Sequence, residues 1–185
     1  KYYSYPKASA SYRIPHLLPF LDEIKGRVAY GQSGTEPTYG VKFSGLVQQV
    51  LGASSGTFTP AALGDPGVQP EKNTEIEGGI DATMFESRAQ ISATVYQKRI
   101  SNVLLQESVN PSFGATTQWL NGGQFTNRGL ELSLAATPIE MRNGFTWIST
   151  TTFYRNYSVV DNLAVGAFDL PESGGGPFGI FLIQP

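Results

Sequence analysis

The stretch TNRGLELSLAATP, Thr126 to Pro138, carries two messages at once. From Gly129 onward, Leu130, Leu132, Leu134 and Ala136 take alternate positions, and Glu131, Ser133 and Ala135 fill the places between. A period of two belongs to a β-strand, whose successive side chains point to opposite faces. One face is therefore apolar and the other polar. The fold turns on what the leucines meet, a protein core or lipid, and alternation alone is compatible with both.

The same pattern recurs along the chain. Strand-like segments are predicted at Ala8–Ile14, Lys25–Gln32, Thr74–Met84 and Ala89–Ser101, in the opening stretch, and at Phe145–Tyr157. The cleanest sets Ile76, Gly78, Ile80, Ala82 and Met84 against Glu75, Glu77, Gly79, Asp81 and Thr83. No segment holds a 3.6-residue period over three turns, and PHLLPFLDEI, Pro15 to Ile24, is read as at most a short helical turn. The class is all-β and antiparallel, because connections such as FESR, Phe85 to Arg88, are too short for a parallel crossover.

The connections alternate in length. Those between the first and second, third and fourth, and fifth and sixth segments are short. Ser33–Asn73, Asn102–Arg128 and the stretch Ser158–Gly176 are long, loop-like and rich in Gly, Pro and Ser. In an up-and-down sheet, successive turns lie at opposite ends. One end here carries short turns and the other long loops, as in outer-membrane β-barrels. Several segments approach the ~9–11 residues a tilted strand needs to cross the apolar layer. Aromatics stand near strand ends: Tyr12, Tyr30, Phe85, Phe145, Trp147 and Phe153. The polar face bears Glu75, Glu77, Asp81, Lys98 and Glu131 in mid-strand, which suits a wet or plugged lumen, whereas a small soluble barrel is filled with apolar side chains. These five are the candidate lumen-facing residues. A soluble antiparallel sandwich with its polar face in water remains the alternative.

Composition sets further bounds. Charged residues make up 15% of 185 and the net charge is -2, so strong attraction to nucleic acid is not expected. Cysteine is absent, which excludes disulfides and thiolate chemistry. The start, KYYSYPKASASYRI, lacks the apolar core of a signal peptide, and both ends read as cuts through a longer protein.

At LDEIKGRVAYGQSG, Leu21 to Gly34, the chain resembles a recurring strand of the SusC/RagA-type TonB-dependent outer-membrane receptors, with Lys25, Arg27, Tyr30, Gly31, Gln32 and Gly34 in place. Four more elements resemble the family in its order: YSYPKASASYRI (Tyr3 to Ile14), QPEKNTEIEGGID (Gln69 to Asp81), ISATVYQKRISNVLL (Ile91 to Leu105) and NGGQFTNRGLELSL (Asn121 to Leu134). Ala29, Ser33 and Ile24 depart mildly from the pattern, and Asn102 stands where Asp is common. The resemblance implies that residues 1–185 are part of a larger, 22-stranded plugged barrel in a bacterial outer membrane. The plug and the closing strands would then lie outside this chain. It also implies import of a bulky nutrient, an oligosaccharide or peptide, with a SusD-like surface lipoprotein as partner. Energy would come from the TonB complex through a part not seen here. Two rivals stay open: a barrel acting as a surface binding or assembly scaffold, and a soluble carbohydrate-binding or carbohydrate-active sandwich.

No catalytic arrangement stands out, and neither an enzyme nor a cofactor is expected. His16 is the single histidine and has no second ligand at metal spacing. Glu75 and Glu77 share one strand face, whereas a glycosidase pair comes from separate strands. The richest loop for solute contact is NPSFGATTQWLNGG, Asn110 to Gly123, where Phe113 and Trp119 offer stacking and Gln118 hydrogen bonding. The apolar loop Leu46–Gly64 suits a neighbouring protein. Arg128 reads as a rim charge, and Gly129 as a bulge or positive-φ position.

Overall fold

The computed structural model describes residues 2–52, 54–58, 62–142, 144–163, 168–169 and 182–183. In chain order the strands are β1 (Lys7–Leu18), β2 (Leu21–Thr35), β3 (Val47–Leu51), β4 (Ser54–Phe58), β5 (Ala62–Leu63), β6 (Glu71–Met84), β7 (Ala89–Ser108), β8 (Thr117–Glu140), β9 (Thr146–Leu163), β10 (Phe168–Asp169) and β11 (Leu182–Ile183). One sheet has the order β1-β2-β6-β7-β8-β5, with β9 also paired to β8, while β3–β4 and β10–β11 are separate two-stranded pairs. All six predicted segments are strands, and every one is longer than its alternation indicated.

The register shows the antiparallel path. β1 pairs with β2 from Lys7↔Gly31 to Leu18↔Leu21. Along β6 and β7, Asp81 meets Ser92 and Lys72 meets Ser101, so numbers fall in one strand as they rise in the other. β7 and β8 do the same through Arg88 with Thr137 and Gln97 with Arg128. The one parallel contact is the two-residue β5 against Thr117 and Gln118.

The chain divides into two compact units. The first comprises Lys1–Ser33, Thr74–Arg99 and Thr126–Val159; the second comprises Gly34–Asn73, Ile100–Phe125 and Val160–Pro185.

The first unit holds the short turns. The first of them is no helix: β1 and β2 run to a tight reversal at Pro19–Phe20, with a register shift between Pro15 and Leu18 and His16 at φ 50°. Leu18 pairs directly with Leu21, so the extended ladder overrides any local helical preference of the apolar run. In the β6–β7 turn, Phe85, Glu86 and Ser87 all have positive φ, at 58°, 55° and 64°. Such residues cost of order 1–3 kcal/mol each unless their surroundings hold them. Here the Glu86 and Ser87 N–H groups donate to the Asp22 carboxylate at 3.2 and 2.8 Å. The Phe85 N–H donates to the Phe20 carbonyl at 3.0 Å, and the two rings stack at 6.1 Å.

The apolar face of this unit is not covered. Val28, Ile80, Val95 and Phe153 are 52%, 54%, 58% and 53% exposed. Leu132 and Leu134 share that face and are exposed as well. Among the described residues the buried apolar ones are Leu21, Val41, Val68, Ala115 and Leu163, and only Leu21 belongs to this unit. A sandwich would bury its greasy face against a second layer.

The second unit is built differently. Five strands run into it beyond their predicted ends: β2 reaches Thr35, β6 starts at Glu71, β7 reaches Ser108, β8 starts at Thr117 and β9 reaches Leu163. The alternation in β7 stops being legible at Ser101 because Asn102 has φ 58° inside the strand, as in a bulge, and a bulge reverses which parity faces which side. Part of the expected Ser33–Asn73 loop is the β3–β4 hairpin, paired from Val47↔Phe58 to Leu51↔Ser54. Most of the predicted Ser158–Gly176 loop lies outside the described residues, and its first part is strand. Val68, 2% exposed, is the most buried side chain here.

Candidate functional site

On the polar face of the first unit, β2, β6 and β7 bring opposite charges together. Arg27 of β2 is the hub. Its guanidinium lies 3.4 Å from Asp81 and 3.9 Å from Glu77, and donates to the Thr94 hydroxyl. Lys25 reaches Asp81 at 3.6 Å, and the Ser92 hydroxyl donates to the other Asp81 oxygen at 2.7 Å. Period two places Lys25 and Arg27 on one side of β2 and Glu77 and Asp81 on one side of β6, so the antiparallel register alone makes them neighbours. Gly79 stands between the two acids. A Cβ there would sit 2.8 Å from Arg27 Cζ, so any other residue would push the guanidinium aside.

These ion pairs are partly exposed, with side chains 28–40% accessible, so each contributes about 0–1 kcal/mol. Their consequence is geometric. They hold Arg27 at the edge of an open recess of about 390 Å3, lined also by Ser92, Thr94, Glu131, Leu132, Ser133, Thr152, Phe153 and Tyr154. Further along the same face the ring of Tyr96 lies over Gly129, where an added Cβ would fall 2.3 Å from the ring. Gly129 is therefore a close-approach position. It is not among the positive-φ residues, so the positive φ expected as one reading of this position is not what the glycine supplies.

Of the residues expected to line a lumen, Glu77 and Asp81 join in the Arg27 network and Glu131 borders the recess. Glu75 and Lys98, both half-buried, lie on the same face by alternation. Arg27 and Lys25 are not among the residues the sequence marks out for the site. The signal is nonetheless present, since two cations at period two precede two acids on one face of the next long strand.

In the second unit, Phe113 ends a 3-10 turn, Pro111–Phe113, whose start is capped by the Asn110 side chain accepting from the Ser112 N–H. It is 69% exposed. Gln118 and Trp119 are not loop residues: both lie in β8, and Gln118 faces Leu63 of β5. As consecutive strand residues they point to opposite faces, so Gln118 and Trp119 do not share one contact surface. The strongest polar feature of this unit is Asn121. Its amide oxygen accepts from the Gln69 N–H at 2.7 Å, and its amide nitrogen donates to the Gln69 carbonyl at 2.9 Å and the Asn102 carbonyl at 2.7 Å. It acts as a strand partner for Gln69 and closes the bulge at Asn102. Beside it, the Glu71 carboxylate accepts from the Leu104 N–H at 2.9 Å. Among the described residues no group of His, Asp or Glu is arranged to hold a metal ion.

A sheet of long antiparallel strands with one bare apolar face and one ion-paired face matches a known family. The family model described as TonB dependent receptor-like, beta-barrel, covers residues 2–179. The chain belongs to that family. It is 27% identical over 172 residues to TonB-dependent receptor P26 of Formosa agariphila and 30% identical over 159 residues to TonB-dependent receptor P39 of the same organism. These alignments cover 88% and 85% of this chain but 17% and 15% of the relatives, so it spans about a sixth of their length. Among solved structures, the RagAB peptide importer in its closed-closed state superposes with a TM-score of 0.80 at 19% identity, over 97% of this chain and 20% of that one. The open-open state of the same importer gives 0.77. At such identity the likeness speaks for the fold.

Membership makes the sheet a segment of a TonB-dependent receptor β-barrel, not closed within this chain, and removes the soluble sandwich. The motif residues also acquire physical roles. In the strand from Leu21 to Gly34, Arg27 is the hub of the polar wall. The Gln69 and Asn121 elements are tied to each other, Asn102 is the bulge they close, and Gly129 makes room for Tyr96.

Proposed function

We propose that this chain is part of the wall of a bacterial outer-membrane transporter, not an enzyme, that imports a bulky nutrient of the oligosaccharide or peptide class. The observation that carries the reading is the two-faced sheet: an uncovered apolar face fit for lipid, and a polar face whose ion-paired side chains and recess suit a wet or plugged lumen. On this reading Glu75, Glu77, Asp81, Lys98 and Glu131 face the lumen together with Arg27. The plug, the remaining strands and the region that couples to TonB are supplied by the rest of the full protein. A SusD-like lipoprotein is the proposed partner, and Phe113 is the proposed loop-side contact to solute or partner; of Gln118 and Trp119, which point to opposite faces of β8, only one can join it.

The test is uptake by a strain lacking the full gene, offered labelled oligosaccharides and peptides one class at a time. Loss of uptake of one class, restored by the gene, supports the reading. Unchanged uptake of every class, or a product found in the soluble fraction, removes it. A second reading, a surface scaffold, draws on the exposed Tyr39, Phe43 and Leu46 before β3 and on the exposed Val50 within β3. It predicts a stable complex with a surface partner and no uptake defect.

A further inference from the structure

Among the long strands of the main sheet, β2 and β6 are neighbours that no hairpin joins. β1–β2, β6–β7, β7–β8 and β8–β9 are consecutive in the chain as well as in the sheet, whereas β3, β4 and β5 intervene between Thr35 and Glu71. A tight turn fixes the register of the two strands it connects, and this junction has none. The pattern of faces does not supply the register either. A slip of one residue is excluded, because it would send every side chain to the wrong face. A slip of two preserves both faces. Ile24, Gly26 and Val28 would still lie against Ile76, Gly78, Ile80 and Ala82. On the polar face Arg27, now over Gly79, would come level with Asp81 or with Glu77 according to the direction of the slip. Opposite charges therefore meet in all three registers.

The registers differ at the short-turn end. Phe85, Glu86 and Ser87 are three consecutive left-handed residues, none of them glycine. Successive N–H groups in turn backbone of this kind form a hollow that receives an anion. Here another hairpin provides the anion. Asp22, the second residue of β2, accepts from the Glu86 N–H on one carboxylate oxygen and from the Ser87 N–H on the other. Beside it the Phe20 carbonyl, in the β1–β2 turn, accepts from the Phe85 N–H, and the two rings stack. Two residues of strand span about 7 Å, so a slip of two carries the Asp22 carboxylate out of reach of both N–H groups and parts the rings. Such a slip would keep the ion pairs, which are weak when partly exposed, and lose the charge-assisted hydrogen bonds, which are strong.

We propose that Asp22 is a positioning residue whose carboxylate locks the β1–β2 turn to the β6–β7 turn and thereby selects the register of β2 against β6. Through that register it sets Arg27 over Gly79 and brings Lys25 to Asp81, and so arranges the polar wall from its far end. The lock also accounts for the lack of glycine in Phe85–Arg88. A glycine turn would be at ease in any register, whereas this one is satisfied only with Asp22 in its hollow. The inference concerns how the sheet is assembled and is independent of what the receptor imports.

The test uses the full-length receptor with any cysteine elsewhere replaced by serine. It is unfolded in urea, refolded into lipid vesicles and shown to be folded by heat-modifiable gel migration. Pairs of introduced cysteines then report the register by their rate of disulfide formation under mild oxidation. Lys25→Cys/Asp81→Cys reports the observed register. Lys25→Cys/Thr83→Cys and Ala29→Cys/Glu75→Cys report slips of two in the two directions. Opposite residues have Cβ atoms about 5 Å apart and diagonal ones about 7–8 Å, against about 4 Å in a disulfide. With Asp22 intact, the first pair should cross-link at least about tenfold faster than the other two. Asp22→Ala should raise one or both slipped pairs severalfold and lower the first. Asp22→Asn keeps one acceptor oxygen and should fall between. Glu23→Gln removes the next carboxylate, which points to the other face and pairs with Arg13 at 3.7 Å, and should leave the wild-type pattern. A merely stabilising Asp22 would lower the yield of folded protein without changing which pair cross-links, and that result would overturn the proposal. So would an equal shift in Glu23→Gln. If Asp22→Ala does not fold, Asp22→Asn decides, and a wild-type pattern among its folded molecules refutes the lock.

Discussion

The two units of this chain reach order by opposite means. In the first, a repeated period-two pattern across β1, β2, β6, β7, β8 and β9 creates two faces, and each residue matters mainly through the face it joins. In the second, few side chains follow the pattern, and single residues hold the backbone: Asn121 at Gln69 and Asn102, Glu71 at Leu104, Val68 in the interior. The first unit should therefore respond to substitutions by face, whereas the second should respond position by position.

The sharpest way to break this contrast is Leu132→Arg. On the proposed reading Leu132 meets lipid, and an arginine near the bilayer midplane costs about 2–4 kcal/mol. Glu131→Leu, one residue away, falls on the polar face and should cost far less. Folding of the full receptor into lipid vesicles, followed by urea titration, measures both. Equal costs would show that face does not govern the first unit and that the leucines meet water.

Asn121→Ala comes next and probes the second unit. It removes three hydrogen bonds and leaves the Gln69 and Asn102 backbone groups without that partner, a loss of about 2–3 kcal/mol. The loss should be local. Hydrogen exchange should accelerate around Gln69 and Asn102 while β2 and β9 in the first unit keep their protection. Uniform acceleration across the chain would mean that the units are not separately ordered.

What was legible follows the same division. Alternation located all six long strands and sorted Leu132 from Glu131, because period two is a local signal that burial does not have to explain. It stopped at Ser101, where the left-handed Asn102 reverses the parity, and it missed the start of β8, where Gly122 and Gly123 contribute no side chains to a pattern. The Arg27 network was half visible. Its acids stand out along β6, but their cationic partners on β2 do not, since which strands are neighbours is a matter of topology and not of composition. Gly129 matters for the space it leaves and not for the positive φ expected of it. A missing side chain looks the same in sequence whether it frees φ or admits a ring, and only Tyr96 on the next strand tells the two apart.

That last point can be tested within the first unit. Gly129→Ala places a methyl group 2.3 Å from the Tyr96 ring, so the ring or β8 must shift, at a cost of about 1–2 kcal/mol. Tyr96→Ser in the same molecule removes the ring, so the double variant should regain most of what the single one lost. A double-mutant cycle of urea midpoints reads the coupling. Additive losses would show that the glycine is needed for its backbone and not for the space.

The smallest effect is expected at Arg27, though it is the best-connected side chain of the polar wall. Arg27→Gln keeps a donor for Thr94 and removes the charge facing Asp81 and Glu77. Lys25 remains at 3.6 Å from Asp81, and all the partners are partly exposed, so stability should fall by only about 1 kcal/mol or less. Screening should erase most of that difference as ionic strength rises toward about 1 M, where the Debye length is roughly 3 Å. Uptake should change more than stability, because the recess beside Glu131 would lose its one guanidinium lining group. A stability loss as large as that of Leu132→Arg, insensitive to salt, would place Arg27 in a dry interior and make the polar face a core, reversing the assignment of the two faces.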